Sequence, residues 1–352
     1  MQIAPPTSPI DSLRERWTQF QQEFPKVRIR DAATRLGVSE AELLVTDCGN
    51  TVTRLDCDSQ QLLKAVPTWG RVMALTRNGD CVHERKGIYS DPGFFGPIMG
   101  QVAGADIDLR MFLNHWQHIF AVSNNDSPRS IQIFDSEGNA IHKIFLQEES
   151  DEAVFSIFID STTSADQTPI IETKSIPPAK ADPSDESVDL AALREGWDKL
   201  QDTHEFHGLL KKHGVGRLQA LRLAGSKYVT PVVAAETAEA ILNAASAKAL
   251  PIMVFVGNRG CIQIHTGPVN RIIRHGDWIN VMDPDFNLHL RDTAVASAWI
   301  VEKPTRDGTV TSVELFDVSG ELIVQMFGAR KPGNPELIGW RELVAKLPRI
   351  KA

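Results

Sequence analysis

The chain has 352 residues, 42% of them apolar and 23% charged, with a formal net charge of −8. That length is more than one ordinary core absorbs and points to two domains in a soluble globular protein. The acidic balance disfavours generic binding to nucleic acid or anionic membrane, and no run of eighteen apolar residues is present, so no membrane insertion is expected.

The opening Met1-Gln2-Ile3-Ala4-Pro5-Pro6-Thr7 has neither a basic n-region nor an apolar h-region, so no secretory signal is read there. Cys48, Cys57, Cys81 and Cys261 lack CxxC spacing, which fits reduced thiols of a cytoplasmic protein rather than a zinc site or a disulfide framework.

In chain order, helical patterning runs from Ser12 to Phe24. Arg30 to Leu44 then resembles a helix-turn-helix, with Gly37 at the turn and a capping box in Ser39-Glu40-Ala41-Glu42. Such a unit can place its second helix in a major groove. Here that helix opens on acidic residues, with no Arg, Lys, Asn or Gln in its first turn, so a helical hairpin without a DNA role is favoured. A DNA-binding regulator using this segment stays as the alternative. A β-type run follows at Arg71–Thr76, then Asp108-Leu109-Arg110-Met111-Phe112 with its cation and ring. His115 and His118 lack a carboxylate or cysteine to complete a metal shell. Ile131–Ile141 carries a hairpin signal, and Thr162–Val188, rich in Ser, Thr and Pro, reads as a flexible or extended linker.

The second half repeats the first. Leu13-Arg14-Glu15-Arg16-Trp17 returns as Leu193-Arg194-Glu195-Gly196-Trp197, and Asn78-Gly79-Asp80-Cys81 as Asn258-Arg259-Gly260-Cys261, both 180 residues later. Asp106-Ile107-Asp108-Leu109 returns as Asp285-Phe286-Asn287-Leu288, and Phe134-Asp135-Ser136-Glu137-Gly138 as Phe316-Asp317-Val318-Ser319-Gly320. Four matches in one order imply a tandem duplication. The expected domains are residues 1–161 and 189–352, joined by a linker over 162–188. Short strands joined by turns make each half α+β, a mainly antiparallel sheet with packed helices.

Helical patterning in the second copy spans Leu190–Gly214 and contains Thr203-His204-Glu205-Phe206-His207. On a helix His204 and His207 share a face. Two imidazoles, a ring between them and the basic Lys211-Lys212-His213-Gly214-Val215-Gly216-Arg217 suit a planar, anionic, metal-centred ligand. Gln325-Met326-Phe327-Gly328-Ala329-Arg330 adds a late cation. No Ser-His-Asp or nucleophile-elbow context, phosphate loop or HExxH is present, so conventional hydrolase and nucleotide-enzyme readings find no support.

The duplicated frame, with Asp202-Thr203-His204-Glu205-Phe206 opening the second copy, resembles the bacterial cytoplasmic hemin-trafficking and hemin-degrading proteins, the HemS/ChuS/PhuS family. The likeness extends to Leu36-Gly37-Val38-Ser39, Asp108–Phe112, Gly214–Arg217 and Phe327–Arg330, and covers essentially the whole chain. It implies a heme site between the halves, with His204 as proximal iron ligand and His207 as a possible alternative. It further implies Arg110 on the distal side, catalytic if heme is degraded, with Arg217 and Arg330 at the propionates and Phe112 against the porphyrin. Val27 aligns with His204, so one principal heme b per chain is expected, as ligand or substrate. The implied role is a heme-binding protein of an iron-acquisition pathway that carries heme to a degrading enzyme or opens the ring itself. The partners so implied are a heme oxygenase, the inner-membrane heme transporter and, for degradation, an external electron donor.

Overall fold

The computed structural model describes residues 9–124, 127–177, 180–331 and 333–350, with side chains from Ser12 onward; the Met1–Thr7 stretch lies outside these. The first copy runs α1 (Pro9–Glu23), α2 (Ile29–Leu36), α3 (Glu40–Val45), β1 (Val52–Arg54), α4 (Ser59–Ala65), β2 (Gly70–Arg77), β3 (Cys81–Ile88), β4 (Gly93–Phe94), β5 (Met99–Ala103), β6 (Asp108–Phe112), β7 (His118–Val122), β8 (Ser130–Phe134), β9 (Ala140–Ser150) and α5 (Glu152–Thr162). The second repeats that order: α6 (Leu190–Asp198), α7 (Glu205–His213), α8 (Arg217–Ala224), β10 (Val229–Val232), α9 (Thr237–Ala247), β11 (Ile252–Gly257), β12 (Cys261–Gly267), β13 (Ile272–His275), β14 (Trp278–Met282), β15 (Phe286–Arg291), β16 (Ser297–Thr305), β17 (Gly308–Phe316), β18 (Leu322–Gly328) and α10 (Ile338–Val344). The fold is α+β and duplicated, as the repeated motifs imply.

The chain forms two compact units that do not coincide with the copies. The first takes residues up to Thr76, Lys86–Pro177 and also Asn258–Ile262; the second takes Arg77–Arg85, Pro178–Gly257 and Gln263 onward. Within the first unit, β1, β7, β8, β9 and β2 pair antiparallel in that order, and β4, β5 and β6 form a second ladder. The second unit has the matching ladder β10, β16, β17, β18, β11. Its other ladder, β13, β14, β15, is extended by Cys81–Arg85 of the first copy, with Leu290 opposite Cys81.

Each unit therefore borrows a turn from the other copy. Cys261 is buried in the apolar core of the first unit, among Trp69, Leu109 and Ile144, and Cys81 in that of the second, among Ile279, Leu288 and Leu290. A side-chain amide holds each turn. Asn258 donates to the Ile141 carbonyl (2.8 Å) and accepts from the amides of Gly260 and Cys261. Asn78 donates to the carbonyls of Ile323 (2.8 Å) and Gly257 (3.2 Å) and accepts from Asp80 and Cys81. Gly260 has to be small, since a Cβ there would stand 2.6 Å from the Ile141 side chain.

Two local features bear on the sequence patterning, the first as a correction and the second against the DNA-binding alternative. The Leu190–Gly214 pattern is two helices, because the chain turns at Lys199–His204, where Glu205 Oε2 accepts from the Gln201 amide (2.8 Å) and restarts the helix. The second helix of the helix-turn-helix-like segment, α3, buries Glu40, Ala41, Leu43, Leu44 and Val45, which leaves no face to lay in a groove. Its Glu40 is instead paired with Lys143 at 2.5 Å. The segment after α5 is extended and held by hydrogen bonds. Gln167 bonds the backbone of Arg54, and Ile171 is buried in the first unit. Asp182 accepts from the Gly216 amide in the second.

Asn258→Ala removes one donor and one doubly used acceptor at an exchanged turn. We expect a loss of about 2–3 kcal/mol of stability from the three hydrogen bonds, read as a lowered urea midpoint, and a loss of similar size for Asn78→Ala.

Candidate functional site

The second unit holds four of the six residues singled out from the sequence: His204, His207, Arg217 and Arg330. His204 is the N-cap of α7 and has helical backbone angles, φ −68° and ψ −25°. It and His207 are both exposed, while Phe206 between them is 1% exposed and points into the core. The imidazoles are thus held from behind by an anchored ring.

His204 is oriented by a neighbour that sequence reasoning passed over. Asp202 accepts from the His204 backbone amide (2.8 Å) and lies 2.5 Å from its Nδ1. The backbone amide of His204, followed by its ring, holds the Asp202 carboxyl below its ordinary value, and Arg330 adds to this at longer range. An ionised carboxylate only accepts, so Nδ1 is the nitrogen that donates to it, and in the neutral ring Nε2 is the one with the lone pair. With the side chain 82% exposed, that nitrogen is available to a metal. A carboxylate behind a ligand histidine is the usual way to fix its tautomer and raise its basicity.

Beneath this turn lies a buried ion cluster. Arg217, the first residue of α8, donates through Nε (2.6 Å) and Nη2 (2.8 Å) to Glu314, whose side chain is wholly buried in β17. Lys303 Nζ donates to the same carboxylate at 3.0 Å, and so does the Ser312 hydroxyl at 2.9 Å. Both cations face Phe206, Lys303 at 4.6 Å and Arg217 at 5.2 Å from the ring centroid. Trp197 packs edge-on to the same ring at 4.6 Å.

Burial pushes the Glu314 carboxyl up, but Arg217 and Lys303 outweigh it and hold it well below its ordinary value. Lys303 is the surplus cation: burial and the Arg217 charge outweigh Glu314 and bring it down to about 8. One carboxylate and two cations leave an excess of one positive charge, and Arg217 Nη1 takes no part in the pair. A glutamate set directly between apolar residues, in Val313-Glu314-Leu315-Phe316, was the signal that could have revealed Glu314.

Arg330 is paired with Asp307 through Nη2 at 3.0 Å. Its Nε is buried and has no hydrogen-bond acceptor among the described residues, an unspent donor of the kind an anionic ligand satisfies. The second unit thus offers a prepared imidazole nitrogen and two arginines with donors to spare, which fits heme iron and its carboxylates.

Arg110 and Phe112 belong to the first unit, on β6. Strand alternation buries Leu109 and Met111 in the core and puts Asp108, Arg110 and Phe112 on the other face. Arg110 Nη1 is ion-paired with Asp108 and also donates to the Leu109 carbonyl at 3.0 Å. Burial raises the Asp108 carboxyl above its ordinary value, with Arg110 working against that shift. His118, at the start of β7, has its pKa lowered chiefly by burial.

The family model of the haemin-degrading HemS.ChuX domain matches residues 37–161 and 214–347. The chain is 38% identical over 346 residues to a hemin transport protein, HmuS, of Yersinia pestis, covering 96% of this chain and 97% of that one. Among solved structures, holo-PhuS of Pseudomonas aeruginosa, described as a heme-binding protein, superposes with a TM-score of 0.94 at 47% identity, covering 97% of this chain and 100% of that one. ChuS, described as an E. coli heme oxygenase, superposes at 0.85 and 32% identity, over 96% and 99% of the two chains. No helix among the described residues is long and apolar enough to cross a membrane.

Replacing Glu314 by Gln leaves the buried Lys303 beside the partly buried Arg217 with no counter-ion and is expected to cost about 3–5 kcal/mol, measured by denaturant unfolding. Lys303 loses its proton near pH 8 when folded but keeps it to about 10.4 when unfolded, so above pH 8 the unfolded chain binds more protons. This group therefore adds stability as pH rises from about 8 to 10, and Lys303→Met should flatten that rise in thermal melts across the range.

Proposed function

The chain belongs to the haemin-degrading HemS/ChuX family, and from that premise we propose that it takes up one heme as cargo in an iron-acquisition pathway and can oxidatively open it. The observation that carries this reading is the His204–Asp202 pair, which ties up Nδ1 and turns Nε2 of an exposed ring outward at the head of α7.

In this reading His204 holds the iron through Nε2, and Asp202 keeps the ring in that tautomer and orientation. Arg217 and Arg330 meet the two propionates, Arg217 through Nη1 and Arg330 through the buried Nε that has no acceptor of its own. The surplus charge of the Glu314 cluster offsets one propionate without a mobile side chain. Phe112 lies against the porphyrin, and Arg110 supplies the distal donor to water, dioxygen or peroxide. His207, exposed and one turn from His204, is the alternative ligand during transfer. Bound heme supplies an iron that can activate dioxygen once an external reductant delivers electrons. The chain is read as cytoplasmic, handing heme or its iron onward after transport.

Apo-protein titrated with hemin should give a Soret shift saturating near one equivalent. We expect Asp202→Asn to lower hemin affinity about tenfold and His204→Ala to lower it further, with a changed spectrum. An unchanged spectrum and affinity for His204→Ala would remove the ligand assignment. Incubating the complex with ascorbate and catalase separates the two fates. Loss of the Soret band with a tetrapyrrole product marks ring opening; a stable band with transfer to a heme oxygenase marks carriage alone.

A further inference from the structure

The outer face of β6 carries a carboxylate to which the proposed function assigns no role. Asp108 stands two residues before Arg110 on the same face, and the pair is closed by an ion contact. One guanidinium nitrogen, Nη1, carries both internal bonds, to Asp108 and to the Leu109 carbonyl. Nε and Nη2 form neither of them, so three N–H donors face away from the tether. Leu109 and Met111 are fully buried on either side, so the strand that bears the carboxylate is fixed. Across the ladder Asp108 faces Ala103, whose small side chain leaves it room, Arg110 faces Gln101 and Phe112 faces Met99.

We propose that Asp108 is a positioning residue for Arg110, one that also sets which exogenous ligands the arginine admits. This rests on the heme reading above. The tether has two effects. It removes rotamer freedom from a long side chain in advance, so the arginine presents its free donors in one orientation. It also balances the guanidinium charge, so the face offers hydrogen-bond donors with no net positive field. Donors without net charge suit neutral ligands such as water, dioxygen or hydrogen peroxide. A bare arginine would favour small anions instead.

Two measurements test this on the full chain. In the apo-protein, Arg110 modification by phenylglyoxal, located by peptide mapping, should speed up about three- to tenfold in Asp108→Asn, where the charge-assisted tether is gone. An unchanged rate overturns the tether. In the hemin complex, azide binding followed optically should tighten about three- to tenfold in Asp108→Asn. That tightening should shrink when the same change is made in an Arg110→Ala background, because a released arginine is what meets the anion. Equal tightening in both backgrounds reduces Asp108 to a bulk charge and overturns the positioning role. If the amide variant does not fold, Asp108→Ser takes its place in both comparisons. Failure of the wild-type chain to bind hemin would sink the heme reading and with it the ligand-selection role, while the apo measurement still judges the tether.

Discussion

A carboxylate with no access to water has to be neutralised where it stands, and Glu314 does this by drawing three elements together. Arg217 comes from the start of α8, Lys303 from β16, and both cations lie over Phe206 of α7. Moving any of these elements would strand a charge in the core, at a cost that far exceeds a surface ion pair. The register of α7 is therefore fixed by electrostatics as well as by packing. His204 and His207 sit on either side of the anchored ring and inherit that rigidity. Asp202 then supplies the last degree of order, the choice of which imidazole nitrogen carries the proton.

The two copies use the same framework with opposite chemistry. Gly37 and Gly214 both take left-handed backbone angles between two short helices, φ 71° and 65°. The next helix opens with Glu40, paired to Lys143, in the first copy and with Arg217, paired to Glu314, in the second. Inverting the sign of that first residue turns a cation-seeking position into an anion-seeking one. Gly196 replaces Arg16 of the first copy, and a Cβ there would fall 2.3 Å from Leu209 Cδ1, so α7 approaches α6 closely. The duplication supplied a scaffold, and a handful of polar changes set its two halves apart.

The duplication was legible because its turns are spelled in residues with special backbone roles, which recur wherever the chain must reverse. The antiparallel α+β class followed from the short spacing of those turns. The break between α6 and α7 was not legible, since Lys199-Leu200-Gln201 carries no proline or glycine and its stop depends on Glu205 capping backward. Nor could sequence tell that Cys81 and Cys261 fill cores built mainly by the opposite copy, because an apolar residue reads the same whichever core receives it. Of the candidate site, the imidazoles and arginines stood out by type. Lys303, Glu314 and Asp202 act through partners distant in sequence or through a single rotamer, and those exist only once the chain is folded.

The exchanged turns also bear on how the protein is made. The core of the first unit is complete only when Asn258–Ile262 arrives, roughly 85 residues after the unit's preceding segment ends at Pro177. At a synthesis rate of about 5–20 residues per second, that leaves the nascent first half waiting roughly 4–17 s with an unfilled slot beside Trp116 and Ile141. The Trp116 indole, which donates to the Gly260 carbonyl in the finished protein, lacks that acceptor throughout the interval. A chain that stopped before Asn258 would leave that slot open unless another chain supplied the turn.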